Sequence, residues 1–281
     1  MTKVKEEDAS NKPIKIRQVW AENLEREFDL IRDFVHMFPY VSMDTEFPGV
    51  VVAPNFDPNI PYHLRHMDPS EQYSFLKANV DNLNLIQLGL TLTDANGNLP
   101  GDVAYSYIWE FNFKDFDVDR DLQNPDSIEL LRRQGIDFKR NLIYGVDSLE
   151  FAKLFRLKSG LVNSGVSWVT FHSSYDFGYL VKILTQNYLP SRLEEFLSIL
   201  TQIFGQNVYD MKYMIKFCNL YGGLERVATK LKVSRAVGNS HQAASDSLLT
   251  WQAFKKMKDI YFVNNGITMH AGVLFGLEVT V

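Results

Sequence analysis

Five side chains in this sequence have the types and spacing for hydrolytic chemistry. Two carboxylates stand in Ser42-Met43-Asp44-Thr45-Glu46-Phe47, and a third in Phe171-His172-Ser173-Ser174-Tyr175-Asp176. An imidazole and a fourth carboxylate stand in His241-Gln242-Ala243-Ala244-Ser245-Asp246. In an extended strand, residues two apart share a face, so Asp44 and Glu46 point one way while Met43 and Thr45 point the other. Two carboxylates at one strand end repel each other unless a cation lies between them. Hard oxygen donors of this kind suit Mg²⁺ or Mn²⁺. A solvated strand end can carry the same tripeptide, so the motif alone does not decide. Asp176 falls in the first turn of a helix that follows an apolar run, where the macrodipole favours any acid.

On one continuous helix, residues five apart diverge by about 140°, so His241 and Asp246 would not meet. They converge when His241 lies on the preceding loop and Asp246 one turn inside the helix. Gly238 and Asn239, both turn residues, support a loop there. A mobile imidazole beside a helix-held carboxylate places a base next to a metal ligand. The alternative is a surface histidine with no task. Asp210, in Val208-Tyr209-Asp210-Met211-Lys212, is expected to be structural, as a helix N-terminal group or a partner of Lys212. His63 and His66 are spaced like metal ligands, but their segment is flanked by proline and supplies no cysteine, which argues against a structural zinc. Phe171, Tyr175 and Phe177 are expected in the core.

The elements that must position these residues follow from periodicity. Residues 19–38 show helical spacing through Val19, Leu24, Phe28, Ile31, Phe34 and Val35. Residues 40–43 and 50–53 read as strands joined through Pro48-Gly49, residues 70–82 as a helix and residues 85–93 as a strand. Asn96-Gly97 marks a turn, with residues 105–113 as the returning strand. Strands this close together imply an antiparallel or mixed opening. Helices are expected at 126–134, 148–157, 176–186, 192–204, 211–218 and 224–231, with a long closing helix at 243–262. Residues 166–171 form a near-continuous apolar run, as in a strand covered on both faces, and residues 207–209 suit a short strand. The sum is an α/β fold, a mixed sheet flanked by helices on both faces.

The length of 281 residues suits one large α/β domain, with residues 1–12 as a polar, disordered tail and 13–281 as the domain. Hydrophobic residues at 46% are ample for its core. Cys218 is the single cysteine, so no internal disulfide forms and a reducing compartment is expected. No charged-then-apolar leader opens the chain, and the apolar stretch 267–281 carries His270 and Glu278 and is too short to cross a bilayer. A membrane is therefore not an expected partner. The net charge of −5 disfavours a protein that tracks along duplex. It leaves open an enzyme that grips a strand end, where bound metals add positive charge.

The order of the motifs adds what each lacks alone. An acidic pair on the first strand, an acid after a central strand and H-x₄-D opening the last helix resemble the DEDDh exonucleases. The fuller stretches SMDTEFPGVV (42–51), NVDNLNLIQLGLTL (79–92), SWVTFHSSYDFGYLVKIL (167–184), VYDMKYMIKFC (208–218) and HQAASDSLLT (241–250) are similar to the POP/CAF deadenylases, plant members above all. These are nuclease subunits of the CCR–NOT messenger-RNA decay complex. The resemblance runs over residues 16–277 and departs from the family at 55–71.

This resemblance implies a ribonuclease-H-like fold that removes 3′-terminal adenylates from single-stranded poly(A) RNA and releases 5′-AMP. It implies two divalent ions, Mg²⁺ or Mn²⁺, held by Asp44, Glu46, Asp176 and Asp246. Asp44, Glu46 and Asp246 would serve one ion, with Asp44 and Asp176 helping the second. His241 would take the proton from the attacking water. Phe47 either stacks on the terminal base or belongs to the core. A large CCR–NOT scaffold protein and a second deadenylase subunit are the implied protein partners, and cytoplasm and nucleus the implied locations. A DEDDh nuclease for DNA or general RNA ends remains an alternative. So does an inactive scaffold or adaptor, against which the complete acidic set argues.

Overall fold

The strand that carries Asp44 and Glu46 lies inside a six-stranded sheet. The computed structural model describes residues 12–55, 67–162, 165–263 and 266–278. Its strands are β1 (Ile14–Val19), β2 (Tyr40–Glu46), β3 (Gln87–Thr93), β4 (Ser106–Asn112), β5 (Ser167–Thr170) and β6 (Val208–Asp210). Their order in space is β1-β4-β3-β2-β5-β6. β3 pairs antiparallel with β2 and β4, while β1–β4, β2–β5 and β5–β6 run parallel. The sheet is thus mixed, as its crowded opening strands implied. Every residue of β3 is buried, the pattern of a strand covered on both faces.

The helices are α1 (Leu24–Val35), α2 (Pro69–Asn82), α3 (Pro125–Arg133), α4 (Phe138–Tyr144), α5 (Ser148–Lys158), α6 (Ser174–Thr185), α7 (Leu193–Phe204), α8 (Met211–Met214), α9 (Leu224–Lys230) and α10 (Ala243–Tyr261). Several starts are fixed by side chains. Asp68, Asn124 and Asp147 each accept from backbone N–H groups in the first turns of α2, α3 and α5, and so satisfy donors that no helical carbonyl can reach. Pro69 and Pro125 supply the first helical residues of α2 and α3.

The two faces of the sheet differ. Met43, Leu88, Leu90 and Phe111 join one apolar core with residues of α1, α2, α5, α6 and α7. The rings of Phe28, Phe111 and Phe151 approach within 5.4 Å of one another there. Across the other face runs α10, against β2, β3 and β5. It comes close because position 89 has no side chain. A Cβ on Gly89 would stand 2.0 Å from the backbone carbon and oxygen of Ala243.

Three expectations need correction. Residues 14–19 form β1, a parallel partner of β4, so the helix expected at 19–38 begins only at Leu24. Residues 50–53 form no strand. The backbone N–H groups of Val51 and Val52 donate instead to Asn79 Oδ1 on α2, which pins the segment as a loop. The helix expected at 211–218 is α8 followed by a 3₁₀ turn at Ile215–Phe217. Helix α4 was not expected at all. The Asn96-Gly97 turn closes on Asp94, and the returning strand runs from Ser106 to Asn112, within the 105–113 expected for it. The tail at 1–11 and the histidine pair of 61–66 lie outside the described residues.

Candidate active site

Strand alternation places the acids of β2 as their spacing required. Ser42 Oγ donates to the carbonyl of Ser247 on α10 at 2.8 Å, so Ser42, Asp44 and Glu46 share the α10 face. Thr45 faces the other way and donates from Oγ1 to Asp176 Oδ1 at 2.8 Å. Asp176 sits in the first turn of α6 and is only 7% exposed. Across the β2–β3 ladder, Asp44 pairs with Gly89, the residue on which the start of α10 rests. A second support for α10 is the buried Glu110 of β4, whose Oε2 accepts from the backbone N–H of Ala244 at 3.2 Å.

His241 lies on the loop before α10, in a left-handed conformation with φ +59°. Its backbone N–H donates to Asp246 Oδ2 at 2.8 Å, while Asp246 sits one turn inside the helix. The loop-then-helix arrangement inferred from H-x₄-D is the one observed. It brings donor atoms of Glu46, His241 and Asp246 within 4.8 Å of one another. Asp44 and Asp176 fall outside that tight trio. Asp44 nevertheless lies within the electric field of Asp176, Asp246 and Glu46.

Electrostatics set these groups apart from ordinary surface acids. Burial, then repulsion from Asp176, Asp246 and Glu46, holds the Asp44 carboxyl far above the usual carboxylate range. Burial followed by Asp246 and Asp176 does the same to Glu46. Burial pushes Asp176 up to about 7 against the opposing hydrogen bond from Thr45. Asp246 is also raised by burial, while Arg235 pulls it back. Among the described residues, Arg235 is the one cation that pairs with this acid set. It also pairs with Glu225 of α9 and donates to the carbonyl of Asn239 at 3.2 Å. Buried and half-buried oxygen donors that repel one another, with an imidazole beside them, fit divalent cations.

Asp44, Glu46 and Asp246, but not Asp176, line a cleft of about 650 Å³ whose walls include Phe47, Phe171 and Leu224. Phe47 stacks on Tyr175 at 5.3 Å and 14° and touches Tyr179 at 5.1 Å, so it is both anchored and presented to the cleft. Of the aromatics expected in the core, Phe177 is fully buried, whereas Phe171 is half-buried on the cleft wall. Asp210 is structural. It is 0% exposed and accepts from the backbone N–H groups of His172, Ser173, Lys212 and Phe275 at 2.8–3.2 Å. The Lys212 ammonium is not its partner and donates to the carbonyl of Gly222 at 2.6 Å.

Sequence reasoning missed Thr45, Gly89 and Arg235. Thr45 and Gly89 had visible signals, one as the residue between two site acids and the other as a glycine inside an apolar strand. Arg235 had none, because its partners are assembled only in three dimensions.

Comparison with known proteins gives the family and the fold. The family described as CAF1 family ribonuclease matches residues 19–158 and 147–254. The probable CCR4-associated factor 1 homolog 7 of Arabidopsis thaliana is 48% identical over 95% of this chain and 94% of its own length. The poly(A) ribonuclease pop2 of Schizosaccharomyces pombe is 43% identical over 94% of this chain and 76% of its own. The solved structure of S. pombe Pop2p with Mg²⁺ and Mn²⁺ bound superposes with a TM-score of 0.83 at 42% identity, covering 93% of this chain and 99% of that one. Yeast CAF1, co-crystallised with the NOT1 MIF4G domain, gives a TM-score of 0.74 at 32% identity, covering 93% of this chain and 96% of that one. With the family matched across most of its length, and relatives this similar over nearly all of it, the chain belongs to the CAF1 family of ribonucleases.

Proposed function

We propose that this chain is a metal-dependent 3′→5′ exoribonuclease that shortens poly(A) one nucleotide at a time and releases 5′-AMP. The observation that carries the reading is the convergence of Glu46, His241 and Asp246 within 4.8 Å at the cleft, in a chain of this ribonuclease family. The S. pombe relative named as a poly(A) ribonuclease supports the substrate, and the Pop2p structure with Mg²⁺ and Mn²⁺ supports the cofactor class.

Asp44, Glu46, Asp176 and Asp246 would hold two divalent ions in this reading. Bound there, such ions supply Lewis acidity to a phosphodiester and acidify water. The chain's own groups do the rest. Thr45 fixes one oxygen of Asp176, and the His241 backbone N–H and Arg235 fix the two oxygens of Asp246. The His241 side chain, exposed at the cleft, takes the proton from the attacking water. Phe47, braced by Tyr175, offers the terminal base a stacking surface. We assign these roles within a single catalytic domain, 13–281. We also infer a CCR–NOT scaffold partner, in line with yeast CAF1 and NOT1, a second deadenylase subunit beside it, and residence in cytoplasm and nucleus. Co-purification from native extract tests the partners, and a wholly monomeric endogenous protein counts against them.

The test of activity is a 5′-labelled RNA with an A₂₀ tail behind a mixed-sequence body. With Mg²⁺ the products are expected to form a ladder that shortens through the tail and stalls near the body. EDTA is expected to stop it and Mn²⁺ to restore it. Equal rates through tail and body would leave a general exoribonuclease, and internal fragments would end the exonuclease reading.

A further inference from the structure

We propose that Arg226 grips a backbone phosphate of the RNA strand at the mouth of the cleft, held ready by Tyr221 and by the missing side chain of Gly222. The proposal rests on the nuclease reading of the site and adds the group that holds its substrate.

The cleft is poorly suited to a polyanion on its own. Its walls carry Asp44, Glu46, Glu225 and Asp246, and the one lysine or arginine among the described lining residues is Arg226. The two arginines near the site are divided by their partners. Arg235 is engaged by Asp246 and Glu225 together. That engagement also occupies Glu225, the acid next to Arg226 in the chain. Among the described residues, no carboxylate forms an ion pair with Arg226.

Arg226 is ordered by another means. Its guanidinium carbon lies 4.1 Å from the centroid of the Tyr221 ring. Stacking on a ring face holds the planar group while leaving its N–H edge free, the edge that matches two phosphate oxygens. Backbone geometry makes room for this fold-back. Gly222 has φ +105°, and a Cβ there would stand 2.5 Å from Arg226 Cδ. Both Tyr221 and Arg226 are exposed, so the stacked pair faces solvent where a strand enters. A cation already fixed in position loses little side-chain freedom on binding. Such a contact reads backbone and not base, so it serves every sequence equally.

The test separates binding from turnover. In a His241→Ala background, anisotropy of labelled A₂₀ and of a mixed-sequence 20-mer is followed through a salt series. Arg226→Gln is expected to weaken both RNAs by about tenfold and to flatten the slope of log K against log salt by about 0.7, the worth of one single-strand phosphate contact. Arg226→Lys is expected to keep the slope and lose part of the affinity. Tyr221→Leu, which frees the arginine without removing its charge, is expected to keep the slope with a smaller loss than Arg226→Gln. In the otherwise native chain, Arg226→Gln raises KM for A₂₀ and leaves kcat within about twofold. Equal affinities and slopes for Arg226→Gln and its parent overturn the proposal, as does a loss of kcat at unchanged KM. Failure of the nuclease reading has another signature. A native chain that trims neither RNA, yet binds both with an Arg226-dependent slope, leaves the phosphate grip standing.

Discussion

Asp210 and the acid set of Asp44, Glu46 and Asp246 meet burial in opposite ways. Asp210 is 0% exposed, yet four backbone N–H groups point at it, from the start of α6, the start of α8 and the segment around Phe275. Burial raises its carboxyl, and those hydrogen bonds pull it back. Asp246 receives one backbone N–H and Arg235. No donor among the described residues reaches the carboxylates of Asp44 and Glu46. An acid surrounded by fixed dipoles is saturated and can only hold the fold together. Acids left short of donors keep their repulsion until a cation relieves it. Counting donors, and not acids, distinguishes a clamp from a candidate metal centre.

The sharpest way to break this contrast is to neutralise one acid of the unsaturated set. Asp44→Asn or Asp246→Asn is expected to abolish measurable turnover, and the metal-free Asp44→Asn protein melts no lower than its parent because one repelling charge is gone. Retained activity removes the residue from the site. Next in size is His241→Ala, which is expected to lower kcat by about 10²–10⁴-fold while Mn²⁺ still raises the melting temperature. Activity equal to the parent's would remove His241 as the base.

Asp210→Ala should show the reverse pattern. Four backbone donors lose their acceptor, at a cost of roughly 3 kcal/mol or more in a urea titration, with activity per folded molecule largely kept. Complete loss of activity in a folded variant would move Asp210 into the catalytic machinery. The smallest expected effect is a pH dependence. Carboxyls raised by folding bind protons more tightly in the native state, so their stabilisation is full below the unfolded pKa near 4 and is lost as pH rises through the folded value. For Asp176 that value is about 7. The metal-free protein should therefore melt a few degrees lower at pH 8 than at pH 5, with Mn²⁺ closing much of the gap as protons leave its ligands. A metal-free melting temperature that rises across this interval would contradict the repulsion.

Much of the site was legible because its geometry is local. Period-two alternation put Asp44 and Glu46 on one face, and Gly238 and Asn239 disclosed the loop that lets His241 meet Asp246. Asp210 was readable as a helix-start residue, although its reach to His172, Ser173 and Phe275 was not. The mixed sheet was visible in its strand runs. Strand β1 was missed although Ile14-Lys15-Ile16 alternates, because the helical run ahead of it absorbed Val19. Helix α4 gave no amphipathic signal, since Leu142, Ile143 and Tyr144 are exposed and only Phe138 and Asn141 are buried. Val50 to Val52 look like a strand but are held by a side chain, Asn79, that no periodicity announces.

The docking of α10 on Gly89 also fixes a timetable. Asp44 leaves the ribosome about two hundred residues before His241 and Asp246. Chains fold from the N-terminus during synthesis, and β2 and β3 can pair long before α10 exists. A growing chain consequently carries half of the proposed centre with nothing to complete it. Until α10 is made and docks on Gly89, the acids of β2 stand apart from the imidazole and the carboxylate they face in the folded chain.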